Sequence, residues 1–309
     1  MPNTPAIRQG DCLEVMKTLA NDSVDLVFTS PPYEDARTYG IDYKLKDDGW
    51  VSWAIPRFEE CLRVSRGLVA WVVEGKTRRY RYSLTPMKLM LALNERGYCV
   101  RKPPVFHRVG IPGSGGPDWL RNDYEFIVCA TRERGRLPWS DNKAMGSPPK
   151  HAPGGPMSHR MPNGRRVLRK TTTPGKDGYM EQGYSPPAKT NPGNVLSHSV
   201  GGGKMGHPLA HENEAPFPLA LAEFFVRSFA PPDGTVLDPF VGSGTTLQAC
   251  AEAGRNGLGI DLRESQVGLS ARRLAKDACP FCGFAFNHES LGKYGCPNCE
   301  GDPDAEKEG

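Results

Sequence analysis

The sequence has no uninterrupted apolar stretch approaching the roughly 20 residues that a bilayer demands, so a membrane partner is not expected. Its first residues, MPNTPAIRQGDCLEVM, lack a basic segment followed by an apolar one, so no secretory signal is read there. Nor is there an oxidised cysteine framework: nine cysteines is an odd count, and no secretory context accompanies them. No internal repeat is visible, and neither sign of charge dominates, 39 basic residues standing against 35 acidic ones for a net +4. A cytoplasmic location is the expectation that follows. With 309 residues the chain can bury a sizeable core without disulfide staples.

What is present is distributed unevenly. Residues 133–206 hold 12 basic and 4 acidic residues, a local +8 that leaves −4 for the rest of the chain. A basic segment on a slightly acidic body is the pattern of a protein that meets a polyanion through one part of itself. Five cysteines, Cys12, Cys61, Cys99, Cys129 and Cys250, are scattered among apolar or mixed neighbours and read as small buried hydrophobes. The other four crowd into the last tenth of the chain.

Residues 1–131 alternate between short β-type runs and helical ones. The runs at 24–28 (VDLVF), 68–73 (LVAWVV) and 124–130 (YEFIVCA) are apolar and β-branched or aromatic, as strands buried on both faces are. Residues 50–64 place Trp53, Phe58, Cys61 and Leu62 at helical spacing, with Pro56 expected to disturb the first turn. Residues 84–96 predict a second helix stopped by Gly97. From 132 to 206 the pattern collapses into 13 Gly and 10 Pro, a composition that resists a packed core and reads as an insert. From 207 to 277 the α/β pattern resumes with a helix at 218–229, a strand at 235–238, a helix at 243–253, a strand at 257–261 and a basic helix at 264–276. The α/β domain is thus split by the insert rather than duplicated.

Two motifs carry chemistry. Asp238-Pro-Phe-Val-Gly-Ser-Gly-Thr-Thr246 lies between a strand and a helix, where Gly242 and Gly244 permit a tight turn and close approach of a ligand. The next strand ends at Asp261, the position from which a carboxylate grips a ribose diol in nucleotide-type folds. No Lys follows the glycines, which speaks against a triphosphate loop, and the full dinucleotide fingerprint is missing. A cofactor with an adenosine and a short charged tail fits better. The second motif, Thr29-Ser30-Pro31-Pro32-Tyr33, follows the VDLVF strand directly; its prolines give a rigid backbone with exposed carbonyls at the sheet's carboxyl edge.

Together the tetrad Ser30-Pro31-Pro32-Tyr33 and the late Asp-Pro-Phe-x-Gly-Ser-Gly-Thr-Thr loop resemble the amino-methylating, S-adenosylmethionine-dependent DNA methyltransferases. The order of tetrad, variable region and cofactor loop resembles their permuted β class. Gly10-Asp11-Cys12-Leu13 and Asn213-Glu-Ala-Pro-Phe-Pro218 match as well, and the resemblance spans residues 7–131 and 206–273. It implies a Rossmann-like α/β fold with a mostly parallel sheet. It implies Ser30, Pro31, Pro32 and Tyr33 as catalytic residues, Asp11 and Asp261 at the adenosine, and Asp238, Phe240, Gly242 and Gly244 beneath the methionine portion. Cys12, Ser243 and Thr245, inside the same matching segments, complete the expected cofactor set. Double-stranded DNA is the implied partner, with a cognate restriction endonuclease and a homodimer as further ones. Ser rather than Asp or Asn before Pro-Pro-Tyr favours N4 of cytosine as acceptor. N6 of adenine, and an inactive DNA-binding module, are the alternatives.

Cys279-Pro-Phe-Cys282 and Cys296-Pro-Asn-Cys299 form paired C-x2-C knuckles, a spacing that suits a closed, structural Zn²⁺ site in a ribbon over 278–300. Residues 301–309 are acidic and expected to be disordered. In the insert, Arg165, Arg166, Arg169 and Lys170 are the expected phosphate contacts. His207 and His211 are read as cap or surface residues.

Overall fold

The computed structural model describes residues 5–35, 45–111, 115, 118–149, 156–170, 188–213 and 215–274. In chain order its elements are β1 (Ala6–Gln9), α1 (Cys12–Lys17), β2 (Val24–Thr29), α2 (Asp47–Val64), β3 (Ser65–Val73), β4 (Thr77–Arg78), β5 (Arg81–Tyr82) and α3 (Thr85–Glu95). There follow β6 (Cys99–Val100), β7 (Val105–Val109), β8 (Tyr124–Thr131), β9 (Pro156–Arg160), β10 (Arg166–Lys170) and β11 (Val195–Ser199). After two 3₁₀ turns come α4 (Leu219–Phe229), β12 (Thr235–Asp238), α5 (Thr245–Ala253), β13 (Asn256–Asp261) and α6 (Glu264–Leu274). No helix among the described residues is long and apolar enough to cross a membrane.

The described residues up to 141 and from 194 onward form one compact unit, and those between 142 and 193 form a second. The first is built on a nine-stranded sheet in the order β1-β13-β12-β2-β3-β8-β7-β11, with β6 also paired to β8. The run from β1 to β3 is parallel throughout; β8 is antiparallel to both β3 and β7, and β11 returns parallel to β7. Side chains of β3 alternate between two cores. Val69, Trp71 and Val73 pack with α1, α2 and α3, while Leu68, Ala70 and Val72 pack with α4 and α5. Burial on both faces explains why these strands are continuous apolar runs rather than alternating ones.

Three expectations need adjustment. The helix expected from residue 50 starts at Asp47, so Pro56 lies in its interior and the helix continues through it. Ala54, Ile55, Phe58, Cys61 and Leu62 are all buried from that helix, and their packing outweighs the hydrogen bond that proline forgoes. The segment 132–206 is not without structure. Its end, β11, joins the main sheet and buries Leu196 against the α4 side, so residues from 194 belong with the first unit. Within the second unit, β9 and β10 pair antiparallel around a turn in which Gly164 takes φ +82° and donates to the Met161 carbonyl at 2.8 Å.

Strands β2 and β12 lie side by side although nearly the whole chain separates them. The parallel strands adjoining them are β3 on one side and β13 on the other. In open α/β sheets a crevice forms at such a point, beyond the carboxyl ends of the strands.

Candidate active site

At the end of β2, Thr29 Oγ1 donates to Asp238 Oδ1 at 2.5 Å and joins the two central strands. The chain then leaves the sheet as Ser30-Pro31-Pro32-Tyr33. Pro31 is buried, and the Pro32 carbonyl accepts from Trp50 Nε1 at 2.8 Å, which fixes the tetrad against α2. Ser30 Oγ lies 3.3 Å from Tyr33 Oη, and Tyr33 Oη donates to Glu125 Oε2 at 2.6 Å.

The residue after the tetrad, Glu34, is buried and acts as its anchor. Oε1 accepts from the Lys76 amide at 2.7 Å, from Thr85 Oγ1 at 3.0 Å and from the Ser83 hydroxyl. Oε2 accepts from the Asp47 amide at 3.0 Å and from Arg78 Nη1 at 3.1 Å. Burial pushes this carboxyl up, but the donors from Ser83, Asp47, Thr85 and Arg78 outweigh it and hold the group below the usual carboxylate range.

The opposite wall begins at β12. Asp238 is 1% exposed and turns inward to Thr29 and to the Phe240 amide, 3.1 Å away. Burial raises its carboxyl to about 6, against the pull of hydrogen bonds from Thr246, Thr29 and Phe240. The loop then turns through Gly242 at φ +49° and Gly244 at φ +83°. A Cβ on Gly242 would stand 2.9 Å from Asn213 Nδ2, so this position has room for glycine alone. The Gly242 amide donates to Asp261 Oδ2 at 3.1 Å, and the Arg263 amide donates to Oδ1 at 3.0 Å. Arg273, buried on α6, locks the far side of the loop. Its Nη1 donates to the Ser243 carbonyl at 3.2 Å, Ser243 Oγ at 3.0 Å and Thr245 Oγ1 at 2.9 Å.

Between the two walls runs a cleft. Of the residues expected from sequence, it brings together Asp11, Cys12, Ser30, Pro32, Phe240, Gly242 and Asp261. Asp238, Ser243, Gly244 and Thr245 stand outside its lining, because Asp238 is turned into the core and the Ser243 and Thr245 side chains are turned to Arg273. Pro31 and Tyr33 also stand outside it, on the side of Glu125. The Cys12 thiol is driven up to about 12 by burial, so it is a neutral wall group rather than a nucleophile.

The cleft includes residues that the motifs do not single out. Arg57 lies 4.4 Å over the Trp53 ring and its Nη2 donates to Asp11 Oδ2 at 2.8 Å. Asp11 Oδ1 meanwhile caps α1 through the Leu13 amide at 2.8 Å. The i, i+4 spacing of Trp53 and Arg57 on one helix is the signal that could have found them. Asn213, Leu262 and Arg263 complete the lining near Asp261. His207 has the cap role expected of it, its Nδ1 accepting from the Leu209 amide at 3.2 Å.

Two groups of candidates lie elsewhere. Arg165 and Arg166 are exposed at the β9–β10 turn of the second unit, and Arg169 and Lys170 follow on β10. Cys279, Cys282, Cys296 and Cys299 lie outside the described residues; among the described residues no His, Cys, Asp and Glu side chains gather as a metal site.

Comparison with known proteins agrees with this architecture. The N6/N4 methyltransferase family profile, described as DNA methylase, matches residues 24–272. The DNA adenine methyltransferase YhdJ of Escherichia coli is 22% identical over 273 residues, 87% of this chain and 82% of YhdJ. Among solved structures, the cytosine-N4-specific PvuII DNA methyltransferase superposes with a TM-score of 0.62 at 18% identity, covering 88% of this chain and 86% of that one. The DNA modification methylase TTHA0409 from Thermus thermophilus, solved with S-adenosyl-L-methionine, gives 0.56 at 22% identity over 91% and 96%. At these identities the structures show a shared fold. The family match, which takes in both the tetrad and the glycine loop, shows more: this chain belongs to the N6/N4 DNA methylase family.

Proposed function

We propose that this protein transfers a methyl group from S-adenosylmethionine to the exocyclic N4 of cytosine in double-stranded DNA. The observation that carries the reading is the meeting of Ser30 and Pro32 with Phe240, Gly242 and Asp261 around one cleft at the centre of the sheet.

The lining suits the cofactor's chemistry. Asp261 offers acceptor oxygens to hydroxyl donors, Trp53 and Phe240 offer apolar rings, and the glycine at 242 lets the backbone come close. Asp11 and Arg57 add a paired charge at the rim. When bound, S-adenosylmethionine supplies an electrophilic methyl on a sulfonium. The remaining task falls to the tetrad. An aromatic amine is a poor nucleophile because its lone pair is delocalised into the ring. The Ser30 hydroxyl and the Pro31 carbonyl accept its two hydrogens, which turns the lone pair out of the ring plane. Positive charge grows on the nitrogen during transfer, and fixed acceptors stabilise that charge more than they stabilise the ground state. Tyr33 receives the face of a base flipped from the duplex.

Ser30 at the head of the tetrad is what favours cytosine. Adenine N6 is the second reading, favoured by the relationship to YhdJ, whose substrate is adenine. The proposal extends to Zn²⁺ held by Cys279, Cys282, Cys296 and Cys299, supported by their spacing. It extends also to phosphate contacts by Arg165, Arg166, Arg169 and Lys170, supported by the local +8 charge. The test is transfer of tritiated methyl from S-adenosylmethionine to mixed-sequence DNA, followed by nucleoside digestion and mass spectrometry. N4-methylcytosine is the expected product; N6-methyladenine would replace the acceptor, and no transfer would end the reading.

A further inference from the structure

Behind the tetrad, away from the cleft, lies a second cluster of ionisable side chains. Glu125 opens β8 and is 8% exposed. One of its oxygens accepts from Tyr33 Oη at 2.6 Å, and the other pairs with Arg108 Nη1 of β7 at 3.1 Å. The ladder sets Val73 of β3 opposite Phe126 of β8, so Glu74 comes next to Glu125 across the strands. Glu74 Oε1 accepts from Tyr82 Oη at 2.9 Å, while its buried Oε2 has no hydrogen-bond partner among the described residues.

Taking the proposed methyl transfer as its basis, we propose that Glu125 is a positioning residue for that reaction, holding the Tyr33 ring by its hydroxyl in the pose that receives the base. A tyrosine ring on a loop turns about two bonds. A hydrogen bond to a carboxylate paired with a guanidinium removes that freedom before any base arrives, so less ordering is needed on binding. Arg108 keeps Glu125 in place from β7, and Glu74, Tyr82 and Tyr124 are the other titratable groups at this end of β3, β5 and β8. Burial pushes the Glu125 carboxyl up, and Arg108 and Tyr33 pull against that shift.

The experiment is a double-mutant cycle on methyl transfer by the full chain, with kcat and the KM for S-adenosylmethionine read separately. Tyr33→Phe and Glu125→Ala should each lower kcat about tenfold, the loss expected for one charge-assisted hydrogen bond, and leave KM within about threefold. The double variant should be no slower than the slower single one. Glu125→Gln keeps an acceptor without the charge. It should cost about threefold alone and nothing in the Tyr33→Phe background, a comparison that stands even where the alanine variant fails to fold. Losses that multiply in the double variant, or a loss of cofactor affinity that matches the loss in kcat, would overturn the inference alone. Absence of transfer by the unmutated protein would overturn the proposed function, and this inference with it.

Discussion

The wall from Ser30 to Tyr33 is held from behind by buried carboxylates, whereas the wall from Asp238 to Thr246 is held by main-chain amides and one arginine. On the first, Glu34 gathers amides, hydroxyls and Arg78, and Glu125 ties Tyr33 to Arg108. On the second, Asp261 accepts from two backbone amides and Arg273 donates to Ser243 and Thr245. The difference follows from the tasks proposed for them. Acceptors for a reacting amine must not shift, and charge-assisted bonds to a short, proline-stiffened loop resist displacement. A cofactor floor must admit a ligand closely, which side chains would obstruct and glycine does not.

The strongest way to break this comparison is to damage each wall separately. Tyr33→Ala and Pro31→Ala should cut the rate of transfer by about 100-fold or more while S-adenosylmethionine affinity, measured by calorimetry, stays within a few-fold. Normal turnover in either would show that the first wall is scaffolding only. Glu34→Ala should lower unfolding free energy by about 2–4 kcal/mol in a denaturant titration, because it strands Arg78 and several buried donors together. Its folded carboxyl is held low, so this contribution is full above pH 4.5 and is lost as pH falls through the lower folded value. Asp261→Ala should weaken cofactor binding by roughly 1.5–3 kcal/mol, again by calorimetry. Unchanged binding would remove Asp261 from the second wall's function.

A smaller effect sharpens the contrast through pH. Burial lifts the Glu74 carboxyl to about 7, although the Tyr82 hydroxyl opposes the shift and Glu125 adds to it. The folded protein therefore holds this proton more tightly than the unfolded chain does, and stability falls as pH rises from 4.5 to about 7. Glu74→Gln should gain on the unmutated protein across that interval by on the order of 2 kcal/mol in thermal or denaturant unfolding. A difference that stays flat with pH would mean that Glu74 ionises freely. The least effect concerns the basic insert. Replacing Arg165, Arg166, Arg169 and Lys170 should lower the salt slope of DNA binding by up to about 0.9 per lost contact. Cofactor binding should be untouched, and an unchanged slope would mean that these charges stay solvated.

The legibility of the two walls in sequence also differs. The strands β2, β3, β8 and β12 are readable because burial on both faces makes them short, dense apolar runs. The glycine loop is readable because its turn needs particular residues in a row. Contacts made across the chain are not. Nothing local relates Tyr33 to Glu125, 92 positions away, or shows that Asp238 turns toward Thr29 rather than the cleft. Glu34 looks in sequence like any acidic residue after a turn. The β9–β10 hairpin was hidden by its composition, although Asn163-Gly164 is the dipeptide that favours a tight hairpin turn. β11 was hidden for another reason: at the sheet edge only Leu196 is buried, so no apolar run marks it.

The hydrogen bond from Thr29 to Asp238 spans 209 residues, and β1 and β2 both find parallel partners only in the last strands of the chain. During synthesis at roughly 5–20 residues per second, β2 therefore waits on the order of 10–40 s for β12 to be made. Until then one of its hydrogen-bonding edges is open, and Leu26 and Phe28 lack the helices that cover them. The nascent chain is thus exposed to mispairing through that interval. It is also chemically silent, since neither wall of the cleft exists without the other.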